Sequence, residues 1–566
     1  MSNEHPAFFG DDGPAERPTG VPDDLLPYLE EADAPSEEDD AQAEERAEEA
    51  RADDDERTEA LRQLVAHSLL LGPDPSILAE VEGEDWDRDD LGADDEPGHA
   101  GTPSSMSHDE RLDAAERDLA LDRRVAEITR DILARAPEHQ VQPSLERVEA
   151  ALDILGDPQG AYPSVHLTGT NGKTSTARMV DALLTALGMR VGRFTSPHLV
   201  DIRERISLEG APITAEGFVA AWEDIAPYVD MVDQRSTAQD GPRMSFFEVL
   251  AVMAFAAFAD YPVDAAVVEV GMGGLWDATN AMDGDVAVIL PIDLDHQKWL
   301  GSTVEEIAAE KAGIIKAHQT VVIARQPEAA LEVLLARARE VDAVVRLEDR
   351  DFEVLDRQMG VGGQMATIRT PAAIYQDVFV PLLGEHQAHN AAAALVAVEA
   401  FLGGRELDGR VVEQGMMSAT SPGRLEVVRT SPTIVVDAAH NPAGARTLRA
   451  ALDQGVFDFA HIVGLFSAMG DKDVEGMLGE LEPVLDDLVV TALPGDRAMS
   501  ADQLMAIATD VFGEDRVELR EDLAEAVDRA VELAEAHTAP GQSAGVVAFG
   551  SIVLAGEVTT LVRGAR

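Results

Sequence analysis

Val165-His166-Leu167-Thr168-Gly169-Thr170-Asn171-Gly172-Lys173-Thr174-Ser175 decides the fold. An apolar run enters a turn of small residues, and Thr176 to Leu187 reads as a helix. Strand, glycine turn and helix together aim backbone N–H groups and a helix N-terminus at phosphate. Lys173 can neutralise β- and γ-phosphate oxygens, and the hydroxyl of Thr174 or Ser175 can reach a magnesium ion. An ordinary P-loop has glycine where this chain has Leu167, so the turn Gly169 to Ser175 is a shortened version.

Working outward, Val263 to Val270 and Asp285 to Ile292 are apolar, β-branched runs of the buried parallel-strand kind, the first preceded by a helical stretch, Phe246 to Phe258. Leu145 to Leu155 predicts an amphipathic helix leading into the P-loop strand. Gly360 to Val380 has a shorter period and predicts an antiparallel insertion or edge. A second alternating series follows Arg424, with strands at Thr433 to Asp437, His461 to Phe466, Asp487 to Thr491 and Gly545 to Phe549. Alternation of this kind predicts α/β architecture, a doubly wound parallel sheet carrying the P-loop and a smaller Rossmann-like C-terminal sheet. The expected division is an acidic extension over 1–115, an ATP-binding domain over 116–420 and a C-terminal domain over 421–566.

Composition narrows the function classes. The 566 residues carry 107 acidic against 44 basic side chains, a formal net charge of −63. That balance argues against nucleic acid, whose phosphates demand basic surface. Runs such as Glu37 to Asp40 and Asp53 to Glu56 read as a solvated, disordered tail, with apolar islands at Leu25 to Leu29 and Leu61 to Leu71. No stretch has the roughly 18 apolar residues of a membrane span, and the acidic N-terminus does not resemble a signal peptide. A cytoplasmic enzyme is expected. Cysteine is absent, which excludes thiol catalysis and thiolate metal sites. The only lysines are Lys173, Lys298, Lys311, Lys316 and Lys472, so each is a functional candidate.

Glu269 ends one predicted strand, and Asp293, Asp295 and His296 end the next. The carboxyl ends of adjacent parallel strands are where open α/β sheets bind ligands. A carboxylate, an imidazole and the P-loop hydroxyl there form a candidate magnesium cage, oxygen being the ligand that hard ion prefers.

These motifs resemble, in order and spacing, the folate branch of the Mur ligase family. The resemblance rests on Gly169 to Ser175, Thr195-Ser196-Pro197-His198-Leu199, Glu204-Arg205-Ile206, Ser245 to Glu248, Glu269 to Gly274, Asp277 to Asn280, Asp295-His296 with Leu300-Gly301, Glu310 to Lys316, Leu383 to Asn390, Pro422 to Arg424, Asp437 to Asn441, Asp471 to Asp473 and Gly550-Ser551. It spans roughly residues 145–560 and implies an ATP-dependent amide ligase. A pteroate or folate carboxylate would be phosphorylated by ATP and then captured by the amine of L-glutamate.

By that resemblance, Thr170, Asn171, Gly172, Lys173 and Thr174 cradle the phosphates, and Asn390, Arg424, Asp437 and His440 approach ATP. Ser196, Glu269 and His296 bind magnesium, two ions being expected. Ser245, Phe246, Phe247, Glu248, Trp276, Asp277 and Ala278 line the acceptor pocket. Lys173, Lys311 and His296 are the catalytic candidates, Lys311 matching a lysine that the family carries as a carbamate. The partners implied are small molecules (ATP, L-glutamate, dihydropteroate or folate), with neither nucleic acid nor membrane, and the chain is expected to act as a monomer. Two positions depart from the pattern: Leu275 replaces a common arginine and Trp276 a small or aliphatic residue. Lys298 is a candidate to restore part of the lost charge. A ligase acting on a cell-wall nucleotide precursor would share the P-loop and the Glu-His pair. A nucleotide-binding scaffold would leave that pair and Lys311 without a role.

Overall fold

The computed structural model describes residues 108–137, 143–495, 497–536 and 543–564. The tail and its apolar islands lie outside the described residues, up to residue 107. The first described element is the helix His108–Leu133.

The first sheet is built on β1 (Ser164–Thr168), β2 (Val191–Phe194), β3 (Ile206–Leu208), β4 (Ala211–Pro212), β5 (Ala265–Glu269), β6 (Val286–Ile289), β7 (Thr320–Ile323) and β8 (Val344–Leu347). Their order is β4-β3-β2-β5-β1-β6-β7-β8. Pairing is parallel from β2 through β8, and β3 and β4 form an antiparallel edge. The P-loop strand β1 lies between β5 and β6, so the chain winds away from it in both directions. This is the switch point at which open α/β sheets form a crevice. Every residue of β1 and β5 is buried, which is why both read as continuous apolar runs.

Helix Phe246–Asp260 is buried on every face from Phe246 to Phe258, beneath β2 and against helices Ala215–Thr237 and Glu146–Leu155. Gly192 in β2 leaves room for the Phe258 ring, which would lie 2.5 Å from any Cβ there. Helix Glu385–Phe401 contains the run Asn390 to Ala394 and is equally enclosed; its small side chains let helix Lys173–Ala186 approach on one side and β9 (Glu353–Gly360) on the other. With β10 (Gly363–Arg369) and β11 (Ile374–Val380), β9 forms the expected antiparallel insertion, which begins at Glu353, earlier than its sequence signal.

The last sheet has the order β12-β13-β17-β14-β15-β16, from β12 (Glu426–Thr430), β13 (Thr433–Val436), β14 (Phe459–Phe466), β15 (Asp487–Val490), β16 (Val517–Leu519) and β17 (Ser543–Phe549). All pairs are parallel except β12 with β13. Four of these strands match the predicted series. β12 and β16 were not predicted: one is an edge strand and the other has three residues. Both parallel sheets belong to one unit over residues 106–566. Among the described residues, no helix is long and apolar enough to cross a membrane.

Candidate active site

The P-loop turns on two glycines. Gly169 has φ +151 and a Cβ there would stand 2.7 Å from Leu290 Cβ; Gly172 has φ +88 and would meet Asn390 Oδ1 at 2.8 Å. Neither position tolerates a side chain, and the second brings helix Glu385–Phe401 against the loop. The helix starts at Lys173, three residues before the sequence signal, so its first-turn N–H groups face the cavity.

One cavity of ≈ 1440 Å³ collects the site residues that the resemblance implied, Thr170 to Thr174, Ser196, Ser245 to Glu248, Glu269, Trp276 to Ala278, His296, Lys311, Asn390, Arg424, Asp437 and His440, while Lys316 lies outside it, 3.8 Å from Asp283. Lys173 donates to the carbonyls of Gly169 (3.0 Å) and Thr170 (3.3 Å), folded back on its own loop. Thr174 Oγ1 lies 3.0 Å from both oxygens of Glu269, and the Ser196 N–H reaches Glu269 Oε2 at 3.3 Å. Burial pushes the Glu269 carboxyl up while the Lys173 charge and the Thr174 hydroxyl pull it down. Burial likewise lowers Lys173.

Glu269, Thr174 and Ser196 form a patch of oxygen donors that suits magnesium, an ion that retains several waters. His296 is placed differently. It lines the same cavity in a left-handed backbone, φ 50, with Nε2 4.0 Å from Asp295. Burial lowers its imidazole to about 4, so it is neutral and able to ligate. Among the described residues no three acidic or histidine side chains cluster as a ready metal cage.

Asp295, which the sequence places at the strand end beside His296, acts as a tether. Its carboxylate accepts from Asn441 Nδ2 (2.8 Å) and Lys472 Nζ (3.2 Å), and His440 Nε2 stands at 3.7 Å. All three come from the last sheet's loops. Burial opposes its ionisation, but His440, His296 and Lys472 hold the carboxyl well below the usual range. Asn441 also caps helix Pro442–Asp453 through Gly444 N (2.7 Å), so one side chain anchors that helix and spans the crevice. His440 Nδ1 faces the Ala438 carbonyl at 2.9 Å, which makes it the protonated nitrogen. Asp437 is committed to the backbone N–H groups of Leu425 (2.9 Å) and Ala439 (2.8 Å), fixing the loop that carries Arg424.

Lys311 is not the surface lysine that a pairing with Glu310 would make it. It is buried and donates to Gly169 O at 2.9 Å. Burial, reinforced by the Lys173 charge, lowers its amine to about 7.

At the acceptor end, Ser245 and Glu248 form a reciprocal cap on helix Phe246–Asp260. Glu248 is gripped by Arg147 through Nε (3.2 Å) and Nη2 (2.7 Å). Arg205 stacks on the Phe246 ring at 4.7 Å and donates to His198 Nδ1 at 2.8 Å. Arg147 and Arg205 line the cavity; Arg205 belongs to the Glu204-Arg205-Ile206 motif, whereas Arg147 carries no sequence signal because its partner lies far along the chain. Asp277 is buried, holds Met272 N (2.9 Å) and Thr279 N (3.0 Å), and is raised by burial to about 6. Trp276 walls the cavity, its ring edge 3.6 Å from where a Gly273 Cβ would sit. Leu275 is 53% exposed. Lys298 lies over the Trp299 ring at 4.9 Å on the rim.

Comparisons with known proteins agree with this geometry. Residues 218–398 match the Mur ligase middle domain and 423–551 the Mur ligase glutamate ligase domain. A dihydrofolate synthase/folylpolyglutamate synthase of Mycobacterium tuberculosis is 50% identical over 446 residues, covering 75% of this chain and 91% of that protein. A folylpolyglutamate synthase structure from the same organism, complexed with ADP and AMPPCP, superimposes with a TM-score of 0.74 at 49% identity, covering 78% of this chain and 99% of that one. The Escherichia coli FolC structure in complex with DHPP and ADP gives a TM-score of 0.67 at 27% identity, over 78% of this chain and 98% of that one. The chain belongs to the Mur ligase family, in its dihydrofolate synthase/folylpolyglutamate synthase branch.

Proposed function

We propose that the chain is an ATP-dependent ligase that joins L-glutamate to the carboxylate of dihydropteroate, of a reduced folate's glutamate tail, or of both. The observation that carries this reading is the convergence of the P-loop, Glu269, Lys311 and the Asp437–Asn441 loop on one cavity. An oxygen of the acceptor carboxylate attacks the γ-phosphorus of ATP, and the bond to the ADP oxygen breaks, giving an acyl phosphate. The glutamate amine, in its neutral form, attacks the acyl carbon; phosphate leaves with the bonding pair and the nitrogen loses a proton.

The chain's part is to hold anions together and offset charge on the moving phosphoryl group. Lys173 turns from Gly169 O to the phosphates, and N–H groups from Thr170 to Thr174 cradle them. Asn390, Arg424 and His440 close on the nucleotide from the opposite wall, with Asp437 holding the Arg424 loop. Ser245 to Glu248 and Trp276 to Ala278 seat the acceptor. Glu269, Ser196, Thr174 and His296 would hold magnesium, which when bound neutralises phosphate charge. Lys311, with its depressed amine, is suited to carbamylation, which would add an anionic oxygen ligand. Residues 116–420 and 421–566 act as two lobes of one monomer, closing over the substrates.

Product analysis tests this reading: dihydropteroate and tetrahydrofolate, each with ATP, magnesium and glutamate, should yield a glutamylated product and ADP from at least one acceptor. ADP release that ignores both glutamate and acceptor would refute it.

A further inference from the structure

A second, far smaller chamber lies beside the P-loop helix. It measures ≈ 20 Å³, about the space one water or one monatomic ion needs. Arg178, one turn beyond Thr174, and Thr195, Leu199 and Glu204 wall it on one side; Arg424 and Ile552 wall it on the other.

Two guanidiniums therefore share a space whose one carboxylate, Glu204, is turned to backbone groups. Among the described residues Arg178 makes no hydrogen bond or ion pair, and its Nε is fully buried. Among the described residues the only hydrogen bond of Arg424 goes from Nη1 to the neighbouring Gly423 carbonyl at 3.3 Å. Glu204 is spent on three backbone groups: Oε2 accepts from Leu199 N (2.8 Å), and Oε1 from Val200 N (3.0 Å) and Asp201 N (2.9 Å). Arg193 repels Arg178 and has Asp181 as its own partner, while Glu204, Asp181 and Glu269 attract Arg178 from a distance without a hydrogen bond to it. A half-buried guanidinium without a hydrogen-bond partner is costly, and a small anion in the chamber would give both arginines one.

We propose that this chamber binds one halide-sized anion, for which chloride is the probe, bridging Arg178 to Arg424 and fixing Arg424 for nucleotide. Arg424 lines both the chamber and the large cavity, so an anion behind it sets where its guanidinium stands. The anion site stands without the ligase reading; only its effect on nucleotide rests on that reading.

Bromide-soaked crystals and ADP titrations test the two parts separately. In wild-type crystals an anomalous bromide peak should appear within about 3.5 Å of both guanidiniums. ADP should bind about fivefold more tightly in potassium chloride than in potassium gluconate of equal ionic strength, the size of one charge-assisted contact. Arg178→Gln should lose both the peak and the chloride gain. Water alone in the wild-type chamber, or a bromide peak that survives in Arg178→Gln as an adventitious ion only, overturns the site. A peak with equal ADP affinity in the two salts overturns the coupling to Arg424. The wild-type crystal and salt comparison decide the matter even should the variant fail to fold. A chain that binds no ADP at all would refute the ligase reading and leave the bromide result to stand alone.

Discussion

The two parallel sheets present their carboxyl ends to the same cavity but equip them differently. At the first sheet the working groups are built into the core: Glu269 and Lys311 are buried, at 1% and 3% exposure, and Gly169 leaves no space for a Cβ. At the last sheet, Arg424, Asp437 and His440 are half-exposed on loops that reach outward. Three of that sheet's side chains, Asn441, Lys472 and His440, converge on Asp295, a single carboxylate of the first. Charges needed for phosphoryl transfer thus sit in a preorganised, water-poor frame, and the parts that must approach and withdraw are held by a few contacts that can be exchanged.

The largest expected effect lies in the buried frame. Lys173→Met should lower glutamate-dependent ADP release by about a thousandfold or more, as expected for a cation that neutralises transferring phosphate. A loss below tenfold would mean that the first sheet is not where phosphate charge is met. Lys311→Gln is next: kcat/KM should fall by about 10–100-fold, the scale of a lost ligand-orienting group. Wild-type activity should weaken as bicarbonate is depleted, while the variant should ignore bicarbonate. Full activity of the variant at low bicarbonate would eliminate the carbamate.

Across the crevice the effect should be on cohesion. Asp295→Ala leaves Lys472 and Asn441 without their acceptor, and urea unfolding should show a loss of about 2–4 kcal/mol, typical of breaking a largely buried pair. An unchanged midpoint would show that the loops are held by other contacts. At the acceptor wall, Trp276→Ala should raise KM for the pteroate or folate by up to about tenfold, the worth of one aromatic contact, with KM for ATP unmoved. Equal shifts in both would make Trp276 structural.

The smallest effect is a pH slope. Lys311 is lowered from 10.5 to about 7, so between those values the unfolded chain binds the extra proton. Stability should therefore rise with pH across that window from this group, and Lys311→Met should flatten the rise. A steeper rise in the variant would contradict the direction of the shift.

The same contrast explains what the sequence reveals. Groups of the first sheet lie in short local runs, strand then turn then helix, and their chemistry is legible from Gly169 to Ser175, at Glu269 and at Lys311. The Asp437 to Asn441 run is legible as a motif, but its attachment is not. Asp295 and Lys472 are 177 positions apart, and nothing local marks Asp295 as a tether and not a ligand. Scarcity of lysine singled out Lys472 without giving its partner. Arg147 finds Glu248 across 101 positions, and Arg178 makes no hydrogen bond among the described residues that could betray it. The undetected strands, β2, β3, β4, β7 and β8 of the first sheet and β12 and β16 of the last, have five residues or fewer, and there pairing with neighbours outweighs the weak local pattern.

The most direct measurement is a crystal structure with magnesium and a non-hydrolysable ATP analogue. The triphosphate should lie on the N–H groups of residues 170–174, with Lys173 Nζ moved from the Gly169 carbonyl to a γ-phosphate oxygen and the metal within reach of Glu269. A nucleotide bound elsewhere, with Lys173 still on Gly169, would contradict the account.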